Sequence, residues 1–327
     1  AGPAAGGPRA PGCLRCALGH ARTDLAQDLE AVSERPTSLL VGLIRSLRPQ
    51  QWTKNLLVLA APLGAGVLGS VEGVIDVVIA FVAFSLAAGA TYVLNDLRDL
   101  EQDRVHPRKR HRPFASGAVP VGVGIVWGLA TLAGAIAVSL LRPHLVWVVL
   151  GYVVLTTSYS LWLKHLAVIE LVAVAAGFVV RAVAGAVAAD VPISPWFFVV
   201  VSAGALLMVT GKRSSELAHL GDTGATRPVL TEYTSGYLRS VEVIAASLAL
   251  AGYALWAFDS AIATQGGAGD VLFKVSLAPF AAAVLRFVLI VDRGEAAEPE
   301  YVLVRDRQML VLSLVWMGVY GAGVFFS

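Results

Sequence analysis

The sequence predicts an all-α, polytopic membrane protein with nine transmembrane helices. Its 327 residues are 57% hydrophobic and only 15% charged, and the mean hydropathy is +0.71. This composition is typical of a chain that folds in a lipid bilayer and excludes an ordinary soluble domain. The net charge of +2 is too small to indicate nucleic-acid binding.

Nine apolar stretches are each near the ~20 residues that a spanning helix needs. They cover roughly residues 54–70, 74–94, 119–140, 144–163, 166–188, 193–211, 237–257, 272–292 and 304–326. Nearly all the Lys and Arg residues of this region lie in the loops after the second, fourth, sixth and eighth stretches. The positive-inside rule therefore predicts a multi-pass protein of the inner (plasma) membrane, with these loops and the amino terminus in the cytosol.

The residues before the first stretch predict two further segments. Residues 1–36 are rich in Ala, Gly, Pro and Arg and include the only cysteines, Cys13 and Cys16. We interpret them as a disordered cytosolic tail. The alternative is a metal or redox site, although a structural zinc site needs about four ligands. Residues 37–47 carry apolar residues at helical spacing, which predicts an interfacial helix opening a transmembrane domain over residues 37–327.

The stretch from Asn95 to Pro113, NDLRDLEQDRVHPRKRHRP, concentrates charge in an otherwise apolar chain. Asp96, Asp99 and Asp103 are spaced three and four residues apart, so they would share one face of a continuous helix. Three carboxylates so close repel one another unless a cation lies among them, and oxygen ligands suit Mg²⁺ bound to substrate phosphates. Five cationic residues follow at once: Arg104, Arg108, Lys109, Arg110 and Arg112. The stretch predicts a site for a metal-bound polyphosphate, and the alternative is a solvated loop of ion pairs.

Two charged residues lie inside the fifth apolar stretch. Glu170 and Arg181 are eleven residues apart, about three helical turns, which places them on one face. Charge within a span is costly, so both should point into the bundle. They either form a water-bridged pair that packs helices, or Glu170 lies near the metal-diphosphate with Arg181 deeper in a cavity. Lys164, nearby, is either a phosphate ligand or a lysine that snorkels to the interface.

The segment NDLRDLEQD matches the NDxxDxxxD motif of the UbiA superfamily of intramembrane prenyltransferases, and the chain resembles that family from about residue 40 to the end. Four other segments, Leu47–Pro62, His106–Gly117, Tyr159–Glu170 and Gly211–Leu217, resemble the family branch that transfers 5-phosphoribose to decaprenyl phosphate. Members of the family that prenylate aromatic compounds have a second motif with paired aspartates on a later helix. The corresponding helix of this chain has Glu170, and the residue four positions later is Val174, so the second aspartate pair is missing.

This resemblance implies a Mg²⁺-dependent transferase with 5-phosphoribosyl 1-diphosphate (PRPP) as donor and decaprenyl phosphate as acceptor, serving the arabinan (arabinogalactan) of the cell wall. It implies that Asp96, Asp99, Asp103 and Asn95 hold Mg²⁺ and the diphosphate or ribose hydroxyls, facing the cytosol. Glu170 and Tyr159 would line the ribose site. Glu170 and the three aspartates are the expected catalytic residues. The residues expected to bind phosphates are Lys54, Arg112, Lys164, Lys212 and Arg213, with Arg181 deeper. The lipid tail would lie in an apolar groove between spans.

Two other functions stay open at this point. One is an aromatic prenyltransferase of the same fold that uses a prenyl diphosphate as donor. The other is a membrane transporter with an ion site at Glu170 and Arg181. The sequence also leaves open whether subunits associate, with a homotrimer as one candidate.

Overall fold

The structure, a computed structural model, describes residues 38–107, 109–219, 228–263, 267–299 and 305–326, together with residues 2 and 302. Within these ranges every regular element is helical. The α-helices are α1 (Leu39–Ser46), α2 (Ala60–Gly64), α3 (Val71–Arg98), α4 (Leu100–Val105), α5 (Val121–Ser139), α6 (Leu145–Leu161), α7 (Ile169–Ala188), α8 (Pro195–Ala218), α9 (Ser235–Ala263), α10 (Ala268–Asp292) and α11 (Arg307–Phe325). The 3₁₀-helices are Pro49–Leu59, Val67–Gly69, Lys109–His111, Leu163–His165 and Pro228–Glu232. Cys13, Cys16, Arg108 and the predicted tail, apart from Gly2, lie outside the described residues.

Seven helices are long and apolar enough to cross a membrane: α3, α5, α7, α8, α9, α10 and α11. The apolar helix α6 is shorter, at 17 residues. These eight helices coincide with eight of the nine predicted stretches, and α1 lies where an interfacial helix was expected. The prediction of an all-α, multi-pass membrane protein is confirmed.

The first predicted span, 54–70, is not one regular α-helix. It is divided among the 3₁₀-helix Pro49–Leu59, α2 and the 3₁₀-helix Val67–Gly69. Gly66, whose φ of 70° lies in the left-handed region, separates α2 from the 3₁₀-helix Val67–Gly69. The first 3₁₀-helix and α2, 11 and 5 residues long, together extend about 30 Å at the usual rise of each helix type, which equals the thickness of the hydrocarbon core. The count of nine spans stays a prediction.

Helix α7 lies between two groups of helices. On one side it packs against α6, α3 and the first 3₁₀-helix, where Phe84 and Tyr152 belong to a buried cluster. On the other side it packs against α8, whose Leu207 belongs to a second cluster shared with α9 and α10. A Cβ at Gly185 of α7 would lie 1.7 Å from the carbonyl oxygen of Val58, so only glycine allows this close approach.

The polar residues singled out above collect at one end of the bundle. Asn95 is near the carboxyl end of α3, Tyr159 near that of α6 and Arg213 near that of α8, whereas Glu170 is near the amino end of α7. Because α7 runs antiparallel to its neighbours, all four residues meet at the same end. The basic loops predict that this end faces the cytosol.

Candidate functional site

A cavity of about 420 Å³ opens at this end of the bundle, between α3, α6, α7, α8 and the first 3₁₀-helix. Its lining includes five cationic residues: Arg48, Lys54, Arg181, Lys212 and Arg213. No aspartate, glutamate or histidine is among the lining residues that the structure describes. A concave site with several positive charges and no negative one attracts polyanions. We call it the basic cavity.

Six of the predicted substrate-binding residues line the basic cavity: Lys54, Asn95, Tyr159, Arg181, Lys212 and Arg213. They come from five separate elements, so the fold brings them together from distant parts of the sequence. Arg112 and Lys164 are half-buried and are not part of the lining. The roles assigned to these residues stay predictions.

The continuous helix expected through the three aspartates is interrupted. α3 ends at Arg98 and α4 begins at Leu100, so Asp99 lies at the break, with φ of −91° and ψ of 13°. Its carboxylate accepts a hydrogen bond from Arg98 Nε at 3.0 Å and is one-third exposed. The prediction of one unbroken helix through the three carboxylates is therefore wrong.

Asp96 and Asp103 are both buried and are joined by one arginine. Arg112 Nη1 lies 3.0 Å from Asp96 Oδ1 and 2.6 Å from Asp103 Oδ2. Asp96 also accepts a hydrogen bond from Arg48, which lines the basic cavity. Asp96 is therefore held beside the cavity by arginines, and neither buried aspartate points into bulk water.

The carboxylates suit Mg²⁺ by donor type, and each of the three pairs with an arginine in this structure. Within the described residues, no three Asp, Glu, His or Cys side chains converge into a group that could hold a metal ion by itself. Mg²⁺ usually takes only one or two protein carboxylates and completes its shell with substrate phosphates and water. Asp96 next to the cavity-lining Asn95, with Asp99 one turn on, fits that pattern if a diphosphate supplies the other oxygens.

Glu170 lies behind the cavity wall. It is fully buried, and its two oxygens each accept a hydrogen bond of 2.8 Å from Arg213, one from Nε and one from Nη2. The hydroxyl of Tyr233 lies 3.4 Å from the same carboxylate, and burial raises the pKa of Tyr233 to about 12. Glu170 is not among the lining residues, so the expected contact with a ribose is replaced by a bidentate contact with Arg213, which does line the cavity. Glu170 and Arg181, for which a water-bridged pair was one of the two alternatives, each have other partners in the structure.

A family model, the UbiA prenyltransferase family, matches residues 57–314. The chain belongs to this family. A decaprenyl-phosphate phosphoribosyltransferase of Mycobacterium tuberculosis is 44% identical over 308 residues, covering 91% of this chain and 99% of the relative. The enzyme of that name from Mycolicibacterium smegmatis is 41% identical over 320 residues, covering 93% and 99%. A solved UbiA homolog from Archaeoglobus fulgidus, bound to GPP and Mg²⁺, has a TM-score of 0.64 at 18% identity and covers 87% of this chain and 99% of its own.

A second, apolar cavity of about 300 Å³ adjoins the first. Residues of α8, α9, α10 and α11 form most of its wall, and Ser313 is its one polar residue among those described. Phe178, Met208 and Pro299 line both cavities. The UbiA fold of this chain therefore places a basic cavity and an apolar one side by side.

Arg48 is a site residue that sequence reasoning missed. It has φ of 53° and ψ of 62°, which is uncommon for a residue other than glycine. Its guanidinium lies 4.8 Å from the ring centre of Tyr92 and donates to Asp96. The available signal was its place in the segment Leu47–Pro62, which resembles the family branch.

Proposed function

We propose that the chain transfers 5-phosphoribose from PRPP to decaprenyl phosphate, giving decaprenylphosphoryl-5-phosphoribose and diphosphate. Two relatives that are 41% and 44% identical over nearly their full lengths are decaprenyl-phosphate phosphoribosyltransferases. The observation that carries the proposal is the pairing of the two cavities, one lined by five cations and one apolar. Together they suit an acceptor with an anionic head and a hydrocarbon tail.

The charge of the basic cavity matches the problem that this reaction poses. The donor carries a diphosphate and a phosphate monoester, and the acceptor brings a further phosphate. Such groups repel one another unless fixed cations lie between them. Arginine and lysine supply charge-assisted hydrogen bonds to phosphate oxygens, and arginine can make two at once.

The chemistry needs little proton transfer. An oxygen of the acceptor phosphate attacks C1 of the ribose and forms a new C–O bond. The bond from C1 to the diphosphate breaks, and its electron pair leaves with the diphosphate. Because the attacking oxygen is already anionic, no general base is required, which agrees with a described lining that has no histidine, aspartate or glutamate. Direct attack predicts inversion at C1.

Asp96, Asp99 and Asp103, with Asn95, are the residues that would hold Mg²⁺ and the diphosphate. When bound, Mg²⁺ supplies positive charge that stabilises the departing diphosphate. Arg48 contacts Asp96 and also lines the cavity, so it can orient the carboxylate and bind a phosphate oxygen.

The acceptor would place its phosphate in the basic cavity and the first part of its tail in the apolar cavity, crossing at Phe178, Met208 and Pro299. The basic loops favour a site that faces the cytosol from the plasma membrane. Association into a homo-oligomer, with the trimer as candidate, stays a prediction.

The test is a transfer assay with purified protein in lipid nanodiscs, Mg²⁺, sugar-labelled PRPP and decaprenyl phosphate. We expect label in the lipid extract, lost when Mg²⁺ is chelated. Lys212→Met should reduce transfer strongly, whereas Lys274→Met, outside the cavity lining, should not. No label in the lipid, with diphosphate released from a prenyl diphosphate and an aromatic acceptor, would favour the prenyltransferase. Uptake into vesicles without turnover would favour the transporter.

A further inference from the structure

We propose that Arg181 binds the 5-phosphate of the donor, at the deep end of the basic cavity, and that Asn55 is the positioning residue that holds its guanidinium there. The assignment rests on the proposed function, because it names the group of that donor which this end of the cavity recognises.

Arg181 is a buried cation whose hydrogen-bond partners in the described part of the chain are all neutral. It is 6% exposed and lines the cavity from the middle of α7. Its guanidinium donates to Asn55 Oδ1 at 2.8 Å, to the carbonyl oxygen of Gly177 at 2.6 Å and to the hydroxyl of Tyr152 at 2.8 Å. None of the ion pairs among the described residues includes Arg181. Its positive charge is therefore left uncompensated by the protein in this region.

The other buried arginine of the cavity, Arg213, differs from Arg181 because carboxylates compensate its charge. Arg213 forms ion pairs with Glu170 and Glu216. A charge inside a membrane protein costs several kcal/mol unless it is paired or faces a water-filled cavity, and such residues usually mark a substrate path. Neutral partners orient the guanidinium of Arg181 but leave its charge available to an anion.

The depth of Arg181 fits one end of the donor. It is eleven residues from Glu170, or about 16 Å along α7. Its side chain turns back by one turn to the Gly177 carbonyl, so the guanidinium lies about 10 Å below the level of Glu170. The donor has its diphosphate and its 5-phosphate on opposite sides of the ribose ring. With the diphosphate at the Asn95 end, the 5-phosphate would point to this deep end.

The side-chain partners of Arg181 lie on the side of α7 that faces α3 and α6. Asn55 is in the first 3₁₀-helix, Tyr152 is in α6, and Ser85, which contacts Asn55, is in α3. The apolar cavity lies mainly among α8, α9, α10 and α11, on the other side of α7. Phe178, which lines both cavities, has its ring centre 5.9 Å from the Arg181 guanidinium, so the assignment to the donor rests on the depth of Arg181 along α7.

Asn55 is suited to a positioning role because both polar atoms of its side-chain amide form hydrogen bonds. It is fully buried; Nδ2 donates to the Ser85 hydroxyl at 3.1 Å, which leaves Oδ1 facing Nε of Arg181. A carboxylate in the same place would accept from both neighbours with the same shape, but it would neutralise the arginine.

Asn55→Asp is therefore the decisive variant, because it should fold. We expect the KM for PRPP to rise by about tenfold to a hundredfold, the range for losing one charge-assisted contact. The inhibition constant of ribose 5-phosphate, used as a competitor, should rise in parallel, and the KM for decaprenyl phosphate should not change. If Arg181 has only a structural role between helices, Asn55→Asp adds an ion pair with Arg181 and leaves both KM values and the inhibition constant unchanged. That result would overturn the proposal. A rise confined to decaprenyl phosphate would also overturn it.

Direct binding separates this inference from the proposed function. Isothermal titration of ribose 5-phosphate into the nanodisc protein needs no turnover, and Arg181→Met and Asn55→Asp should both weaken binding, whereas Glu216→Gln should not. If the wild-type protein transfers no phosphoribose but binds ribose 5-phosphate through Arg181, the proposed function fails and the phosphate site stands. If transfer occurs and both variants bind ribose 5-phosphate as tightly as the wild type, the phosphate site fails alone.

Discussion

Replacing Glu170 with glutamine tests whether Arg213 is held at the cavity wall by a buried charge. The change keeps the size of the side chain and one oxygen acceptor. It removes the negative charge that faces Arg213 and turns one acceptor into an NH₂ group beside Nη2, which is itself a donor. Arg213 keeps its 2.7 Å contact with Glu216.

The structure sets the size of the effect. Removing one partner of a buried ion pair usually costs about 3–5 kcal/mol. We expect about 3 kcal/mol of unfolding free energy, the low end, because Arg213 retains a second carboxylate. Glu216→Gln is the matched control: its carboxylate is one-quarter exposed, so this variant should cost about 1 kcal/mol or less.

The assay is the unfolding midpoint of both variants in one detergent, together with the KM for PRPP. We expect a clearly lower midpoint and a higher KM for Glu170→Gln only. In the Arg213→Met background, Glu170→Gln should lower the free energy of unfolding much less than it does in the wild type. The arginine charge that the glutamine would leave unpaired is absent from that background. Equal midpoints for the Glu170 and Glu216 variants would refute the reasoning.

Three further predictions follow from other parts of the molecule. Arg112→Gln should leave two buried aspartates without their shared cation, cost about 3 kcal/mol or more in a denaturation assay and reduce turnover; an unchanged midpoint would contradict the bridging role. Gly185→Ala should destabilise by about 1–3 kcal/mol in the same assay because its Cβ meets the Val58 carbonyl, whereas Gly151→Ala meets nothing within 4 Å and should be neutral or slightly stabilising. Tyr233 should ionise near pH 12, as tyrosinate absorbance measured against Tyr233→Phe would reveal. Because the unfolded chain loses this proton near pH 10, stabilisation by Tyr233 should be complete below about pH 10 and fall towards pH 12.

Hydropathy predicted the helical bundle but not the form of its first segment. Eight apolar stretches became α-helices because length and apolar composition are sufficient to specify a spanning helix. They do not distinguish an α-helix from a 3₁₀-helix, and the segment that starts at Pro49 adopts the latter. Its Val58 approaches Gly185 closely, a contact between residues far apart in the sequence that hydropathy does not predict.

The site was predicted as a set of residue types and not as a set of contacts. Six cavity residues were predicted from the family resemblance, from charge inside a span and from the basic loops, and none of these signals gives the contacts between them. The spacing of Asp96 and Asp99 assumed an unbroken helix, whereas α3 ends at Arg98 and Asp99 lies at the break. Glu170 and Arg181 share a helix, but each finds its partners on other elements, which helical spacing alone does not reveal.

The central claim is that the carboxylates beside the basic cavity bind Mg²⁺ together with a sugar diphosphate. The most direct measurement is the affinity of purified protein for PRPP, with and without Mg²⁺, in the wild type and in Asp99→Asn. Asp99 is one-third exposed and pairs with Arg98, whose side chain is 37% exposed, so this variant should keep its unfolding midpoint. We predict that Mg²⁺ tightens PRPP binding to the wild type and has little effect on Asp99→Asn. Equal enhancement by Mg²⁺ in both proteins would contradict the account.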